Sequence, residues 1–206
     1  MYDMQERAEL YNSEFPDYPP LVYYNDYIYG IWKIGNDYRN NSSYYGAYPH
    51  SYLKRILSMF PDIEENKILH LFSGSLSYNS NFTTFDINKE LKPKVVGDAE
   101  NLSGYFNKNS FELILADPPY SEEDAVHYGT SMINRNKVLS EAHKVLCDGG
   151  YIVWLDQVLP MYKNTELKLV GEIGLIRSTN HRVRAVFIWR KLKEEKTAEK
   201  IDWFFK

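Results

Sequence analysis

An apolar run that stops at two consecutive prolines constrains this chain more than any other feature. Phe111–Ala116 has the composition of a buried β-strand, and Asp117-Pro118-Pro119-Tyr120 follows it directly. Proline fixes φ at about −65° and has no N–H to donate to a sheet, so the strand must end before Pro118. The sequence therefore predicts that Asp117 and Tyr120 lie on a stiff turn at the end of a strand, which is typical of a functional site.

The residues of this turn suit methylation of an exocyclic amine on a nucleobase. Such an amine is a poor nucleophile because its lone pair is delocalised into the ring. A carboxylate and a backbone carbonyl that accept its two N–H bonds return electron density to the nitrogen, and a nearby aromatic ring stacks on the flipped base. Asp117, the carbonyl of Pro118 and the ring of Tyr120 supply these groups, and Pro119 stiffens the turn. The alternative is a Pro-Pro turn that ends a strand without any catalytic role.

Strand-like and helix-like segments alternate after residue 66, which predicts an α/β domain with a mostly parallel sheet. Residues 167–176 and 183–189 predict an antiparallel strand pair that closes the sheet. The other predicted strands are residues 67–72, 81–87, 95–96, 111–116 and 151–155, and the predicted helices are residues 51–60 and 131–146. Ligands of such sheets bind at the carboxyl ends of the strands, where Gly74, Asp86, Asp98 and Asp117 are expected.

The motif Asp117-Pro118-Pro119-Tyr120 resembles that of the class I S-adenosylmethionine-dependent methyltransferases that modify adenine N6 or cytosine N4. The resemblance covers about residues 44–190. It implies a seven-stranded, Rossmann-like methyltransferase sheet, S-adenosylmethionine as the cofactor, DNA as the partner and DNA methylation as the activity, most of all at adenine N6. Two alternatives remain open: an RNA guanine-N2 methyltransferase, whose family has the same motif, and a methyltransferase-like binding module without catalytic activity.

The same resemblance assigns cofactor-binding residues. Phe72, Ser73 and Gly74 belong to a loop similar to the family's glycine-containing first motif, which approaches the methionine part of the cofactor. Asp86 is placed like the acid that binds the ribose hydroxyls. Asp98 with Ala99 resembles the family's adenine-binding pair. Tyr48 and Pro49 belong to residues 44–49, which look like the extra motif that amino-methyltransferases place beside the cofactor.

The first motif departs from the family pattern at two positions. His70 stands where the family has an acid, and Leu76 stands where the last glycine is expected. In addition, only 11 residues separate Gly74 from Asp86. A parallel crossover usually needs about a dozen residues or more and contains a helix, so we expect the crossover helix after the first motif to be shortened or absent.

The charge distribution limits how the chain can meet a nucleic acid. The net charge of −4 and the pI of about 5.8 count against a protein that binds polyanions over a large surface. Residues 176–193, however, contain six basic residues, one histidine and no acid. We expect Arg177, His181, Arg182 and Arg184 to contact nucleic-acid phosphates. The alternative is that they form the solvated face of an edge strand.

The chain divides into three predicted parts: an aromatic-rich N-terminal arm or lid (residues 1–45), a methyltransferase-like catalytic domain (46–193) and a charged tail (194–206). The arm either stacks on unpaired bases or packs as a lid over the sheet. Target specificity would come from the arm, from residues 121–136 or from a protein partner. The acidic residues from Glu122 to Asp124 predict a helix N-terminus.

No apolar stretch approaches the roughly 20 residues of a membrane span, and the first residues lack the pattern of a secretory leader. A cytoplasmic protein without membrane contact is therefore expected. Cys147 is the single cysteine, which excludes an internal disulfide and a zinc cluster built on cysteines. No metal is expected to take part in the reaction.

Overall fold

The computed structural model describes residues 1–35, 48–49, 51–76, 81–127, 130–178 and 181–193. Within these residues, one sheet of nine strands is covered by helices on both faces. The strands are β1 Val22–Tyr24, β2 Tyr27–Ile34, β3 Ile68–Leu71, β4 Thr83–Asp86, β5 Val95–Val96, β6 Phe111–Ala116, β7 Leu146–Asp156, β8 Leu167–Arg177 and β9 Val183–Lys191. The α-helices are α1 Met4–Glu14, α2 Tyr52–Ser58, α3 Glu122–His127 and α4 Arg135–Val145, and the 3₁₀-helices are Glu65–Lys67, Lys89–Leu91 and Ala99–Gly104.

The strand order across the sheet is β1-β2-β8-β9-β7-β6-β3-β4-β5. Strand β9 is antiparallel to its neighbours β7 and β8, and β1 is antiparallel to β2. All the other neighbouring strands are parallel. The prediction of a mostly parallel α/β sheet closed by an antiparallel strand pair is therefore confirmed. Helices α2 and α4 lie within the two predicted helical segments, and α3 begins in the acidic run.

The sheet has nine strands and not the predicted seven, because the N-terminal region contributes β1 and β2. Strand β2 pairs in parallel with β8, from Ile28 opposite Gly171 to Ile34 opposite Arg177. Alternate side chains of β2 are buried, and Trp32 is among them. The first 34 residues thus belong to the same sheet and core as the rest. The three-part division stays a prediction, since residues 36–47 and 194–206 lie outside the described residues.

Two clusters of apolar side chains form the core, one on each face of the sheet. Helices α1 and α2 pack against the first cluster, through residues such as Tyr11 and Ile56. Helix α4 and the 3₁₀-helix Ala99–Gly104 pack against the second, through residues such as Val138 and Leu102. The parallel strands β3, β6 and β7 are buried on both faces, and their carboxyl ends lie at one edge of the sheet. That edge is where a parallel sheet places its ligand.

The connection from β3 to β4 consists of residues 72–82 and joins two parallel, neighbouring strands. Residues 72–76 and 81–82 contain no helix, and residues 77–80 lie outside the described part of the chain. The shortened crossover helix therefore stays a prediction. No helix among the described residues is long and apolar enough to cross a membrane.

Candidate functional site

The Asp-Pro-Pro-Tyr turn lies at the carboxyl end of the central strand β6. Ala116, the last residue of β6, pairs with Leu71 at the end of β3 and with Trp154 near the end of β7. Asp117 leaves the sheet between these two strands, and Pro118 and Pro119 are buried. The turn therefore lies at the edge where the loops after the parallel strands meet.

Two side chains of this turn meet a third one that is distant in sequence. The hydroxyl of Tyr120 donates a hydrogen bond to Asp117 Oδ1. Arg184 Nη1, from strand β9, donates to the same hydroxyl oxygen at 2.9 Å. The guanidinium carbon of Arg184 lies 4.0 Å from the centroid of the Tyr120 ring, which is cation–π geometry. Asp117, Tyr120 and Arg184 thus form one connected polar cluster at the end of β6.

Burial sets the protonation of this cluster. Burial raises the pKa of Asp117 to about 7, although the hydrogen bond from Tyr120 and the charge of Arg184 act to lower it. Asp156 and Asp124 raise it further by charge repulsion. Burial also raises the pKa of Tyr120 well above its usual value, so its hydroxyl stays protonated. Above pH 7 the site therefore contains an ionised carboxylate, which can accept hydrogen bonds from an amine.

A second group of predicted residues lies in the loops after β3 and β4. Phe72 and Gly74 have φ values of 56° and 55°, so the chain turns sharply there, at a backbone angle that only glycine adopts without strain. The backbone N–H of Gly74 donates to Asp86 Oδ2 at 3.0 Å, and the N–H of Asn88 donates to Asp86 Oδ1 at 2.9 Å. The carboxylate of Asp86 therefore joins the two loops, and its role toward a ribose stays a prediction.

The other predicted cofactor residues occupy the ends of neighbouring elements. Asp98 Oδ1 accepts from the N–H of Glu100 at 2.9 Å and begins the 3₁₀-helix in which Ala99 is buried. The carbonyl of Pro49 accepts from the N–H of Tyr52 at 3.0 Å at the start of α2. Residues 44–47 of the predicted extra motif lie outside the described residues.

Tyr48 connects the two halves of the candidate site. Burial raises the pKa of Tyr48 well above its usual value, and the nearby charges of Asp117 and Asp86 raise it further. Its hydroxyl oxygen lies 3.5 Å from Nδ1 of His70, and its ring stacks on Tyr52 with 5.4 Å between centroids. The region around Tyr48 thus lies close to both the Asp-Pro-Pro-Tyr turn and the loop after β4.

Two buried polar atoms near this region have no hydrogen-bond partner, Ser73 Oγ and His70 Nε2. Burial lowers the pKa of His70 to about 4, so this side chain is neutral at physiological pH. Buried polar atoms are normally paired, so a bound polar ligand would satisfy them. Within the described ranges, no group of three or more His, Cys, Asp or Glu side chains could hold a metal ion.

The four residues predicted to contact nucleic acid lie at the turn between β8 and β9 or just after it. Arg177, His181 and Arg182 lie at the turn between β8 and β9, where the N–H of Arg177 donates to the carbonyl of Arg182 at 3.1 Å. Because β8 runs in the same direction as β7, this turn lies at the same edge as Asp117. Arg184 instead holds Tyr120. Phosphate binding by any of the four stays a prediction.

A further pair of residues at the turn, Arg135 and Asp156, was not among the residues predicted for the site. Arg135 begins α4 and Asp156 ends β7, and their side chains form a bidentate ion pair. The guanidinium also donates to the carbonyls of Pro119 and Tyr120. Asp156 shows one signal in the sequence, because it follows an apolar strand as Asp117 does. Arg135 shows none.

Comparisons with known proteins give weak similarities. No protein-family model matches the chain, and no curated protein matches it. TrmN from Thermus thermophilus is 17% identical over 61% of this chain and 43% of its own, with a TM-score of 0.44. An rRNA methylase from Streptococcus thermophilus is 11% identical over 64% of this chain and 90% of its own, with a TM-score of 0.41.

A SAM-dependent methyltransferase from Methanosarcina mazei is 16% identical over 62% of this chain and 92% of its own, with a TM-score of 0.43. This chain spans less than half of the TrmN chain that it matches. These values are too low to establish an activity. What the site can do chemically is therefore inferred from the geometry of its residues.

Proposed function

We propose that the chain transfers a methyl group from S-adenosylmethionine to an exocyclic amine of a nucleobase, most of all to adenine N6 in DNA. One observation carries the proposal: a desolvated carboxylate and an aromatic ring touch each other on a Pro-Pro turn at the end of the central parallel strand. Asp117, the Pro118 carbonyl and Tyr120 lie within four consecutive residues.

The residues of the turn have separate tasks in this proposal. Ionised Asp117 and the Pro118 carbonyl accept the two N–H bonds of the amine and so increase the electron density on its nitrogen. A carboxylate has about four acceptor positions, so Asp117 can bind the amine in addition to the Tyr120 hydroxyl. The ring of Tyr120 stacks on the flipped base, and the proton lost from nitrogen passes to water.

The loops after β3 and β4 fit a polar cofactor. Ser73 Oγ and His70 Nε2 are buried without partners, and Gly74 lets the backbone turn closely. S-adenosylmethionine, when bound, supplies an electrophilic methyl group on its sulfonium. In the proposal, the loop residues Phe72, Ser73 and Gly74 bind its methionine part, while Asp86, Asp98, Ala99, Tyr48 and Pro49 surround its nucleoside.

The basic turn between β8 and β9 supports a nucleic-acid substrate. Arg177 and Arg182 lie at the same edge of the sheet as Asp117, so phosphates next to the target base would meet them. The net charge of −4 would confine nucleic acid to this end of the protein. Because the surface that would contact nucleic acid is short, a protein partner could supply the target specificity.

Calorimetric titration with S-adenosylmethionine tests the cofactor, and labelled methyl transfer to DNA and RNA tests the reaction. We expect binding, and transfer to DNA that yields N6-methyladenine by mass spectrometry of the nucleosides. N2-methylguanine in RNA would support the alternative substrate, which shares the Asp-Pro-Pro-Tyr motif. The absence of cofactor binding would refute the enzyme and favour a binding module, for which His70 and the short connection at residues 72–82 are the supporting observations.

Replacing Asp117 with Ala separates the reaction from cofactor binding. The variant should lose most methyl transfer but keep its affinity for S-adenosylmethionine within a few-fold, because Asp117 is assigned to the amine. Unchanged turnover would show that this carboxylate is not part of the reaction.

A further inference from the structure

The ion pair of Arg135 with Asp156 contacts the backbone carbonyls of Pro119 and Tyr120 in the catalytic turn. Arg135 Nη2 donates to the carbonyl of Tyr120 at 3.0 Å and to that of Pro119 at 3.4 Å. The same Nη2 also donates to Asp156 Oδ1 at 3.2 Å, and the neighbouring Nε donates to Asp156 Oδ2 at 2.7 Å. One side chain therefore connects the turn, the start of α4 and the end of β7.

Asp156 is itself held rigidly. Its carboxylate is fully buried and also accepts from Trp154 Nε1 at 3.1 Å and from the backbone N–H of Gln157 at 2.7 Å. A guanidinium is planar and offers its donors in a fixed fork, so binding Nε and one N–H of Nη2 to Asp156 fixes the direction of the other Nη2 N–H, which meets the turn. The position of the turn relative to β7 is therefore set by the ion pair.

We propose that Arg135 is a positioning residue, whose guanidinium, oriented by Asp156, holds the backbone at Pro119 and Tyr120 so that Asp117 and the Tyr120 ring face the reacting amine together. This inference rests on the proposed function. Arg184 holds the hydroxyl end of Tyr120, and Arg135 holds its backbone. Misplacement of reacting groups by about 1 Å is enough to slow catalysis about 100-fold.

The chain contains a matched control for this pair. Arg7 in α1 binds Asp62 through Nη1 and Nη2, at 2.9 and 3.1 Å, and Nη1 also donates to the carbonyl of Met59 at 2.6 Å. The side-chain exposures are 0% for Arg7 and 16% for Asp62, against 18% for Arg135 and 0% for Asp156. The control is likewise a bidentate Arg–Asp pair that donates to a carbonyl, and Arg7 also lies over the rings of Phe60 and Tyr151, at 4.5 and 4.6 Å. It belongs to the opposite face of the sheet and holds no part of the turn.

The test compares Arg135→Lys with Arg7→Lys. Lysine keeps the charge but loses the fork, so both variants should lose stability. After correction for the folded fraction, kcat of Arg135→Lys should fall about 10- to 100-fold, while KM for S-adenosylmethionine stays within about threefold. For Arg7→Lys, kcat should stay within about twofold of the parent value. Equal kcat values in the two variants would overturn the positioning role.

A second measurement does not depend on methyl transfer. Asp117 is only partly exposed to solvent, and burial raises its pKa, so a loosened turn should admit more water and lower that pKa. In carbon-13 NMR titrations of aspartate-labelled protein, Arg135→Lys should lower the pKa of Asp117 by about 1 or more, and Arg7→Lys should leave it unchanged. An unchanged value in Arg135→Lys would overturn this inference. Absence of transfer in the parent protein would refute only the proposed function.

If Arg135→Lys does not fold, the double variant Arg135→Met with Asp156→Leu removes both buried charges together. Such replacements are often tolerated because no unpaired charge is left behind. The double variant should show the same fall in kcat. Only kcat is compared for this variant, because removing Asp156 also removes a charge that raises the pKa of Asp117. A parental kcat would overturn the proposal.

Discussion

Replacing Asp117 with Asn should abolish methyl transfer and, above pH 7, make the folded protein more stable. The pKa of Asp117 is raised from 3.8 to about 7 by burial. A pKa change of one corresponds to about 1.4 kcal/mol, so ionising this group in the folded protein is unfavourable by up to about 4 kcal/mol. Asparagine is neutral and avoids this penalty. Because Asp117 is partly exposed to solvent, we expect a gain of about 1–3 kcal/mol at pH 8.

The sign follows from proton binding. Between about pH 4 and pH 7 the folded protein keeps the Asp117 proton while the unfolded chain has lost it, so the parent's free energy of unfolding falls as pH rises through this window. Above about pH 7 the group is ionised in both states and adds no further slope. The Asn variant lacks this slope. Its advantage over the parent should therefore be small near pH 4 and largest above pH 7.

Thermal and denaturant unfolding at pH 4.5, 6 and 8 measures this difference. For a chain of this size, each 1 kcal/mol should raise Tm by roughly 2–4 °C. Asp17→Asn is the control, because it is the same replacement at an exposed position in a turn. If the Asn variant is no more stable than the parent at pH 8, Asp117 does not occupy a desolvated site, and the account of its pKa is wrong.

Changes at three other positions test the remaining assignments. Tyr120→Phe keeps the stacking ring but removes the hydrogen bond that lowers the pKa of Asp117, so transfer should persist with its pH midpoint shifted upward, whereas Tyr120→Ala should lose about 1–3 kcal/mol of base stacking. Equal damage from Phe and Ala would refute stacking. Asp86→Ala removes the acceptor of the Gly74 N–H and should weaken S-adenosylmethionine binding in calorimetry by about tenfold or more; an unchanged affinity would contradict its role. Arg182→Ala should reduce the slope of log K against log salt for DNA binding by about one counterion. A slope equal to that of the parent protein would show that Arg182 does not contact a phosphate.

Local patterns were enough to predict most of the sheet. Strand β5 ends before Gly97 and β6 is a short apolar run that ends before Asp117, and α4 has apolar residues at helical spacing before Gly149. Asp117 and Tyr120 could be placed on one turn because the prolines between them leave the backbone little freedom. These features depend on neighbours in sequence, so sequence reasoning could find them.

Features made by distant residues escaped prediction. In the structure, the side chains of residues 27–34 alternate between buried and exposed, but in the sequence their aromatic content favoured an arm or lid. Their partner strand β8 lies far along the chain. Arg184 is 64 positions from Tyr120, and Arg135 is 21 positions from Asp156. Nothing local distinguishes either arginine from a solvated one. Which arginine meets the turn is decided only when the strands and α4 pack together.

The pairing of β2 with β8 also has a consequence for synthesis of the chain. Ile28 and Trp32 are made early, but their neighbours in β8, Gly171 and Leu175, follow roughly 140 residues later. Ribosomes add about 5–20 residues per second, so roughly 7–30 s separate the two strands. During that interval β2 emerges from the ribosome without its neighbour, and its buried face has only the early helices to cover it. Folding on the ribosome should therefore begin with the parallel strands in the middle of the sequence and reach the amino-terminal edge of the sheet last.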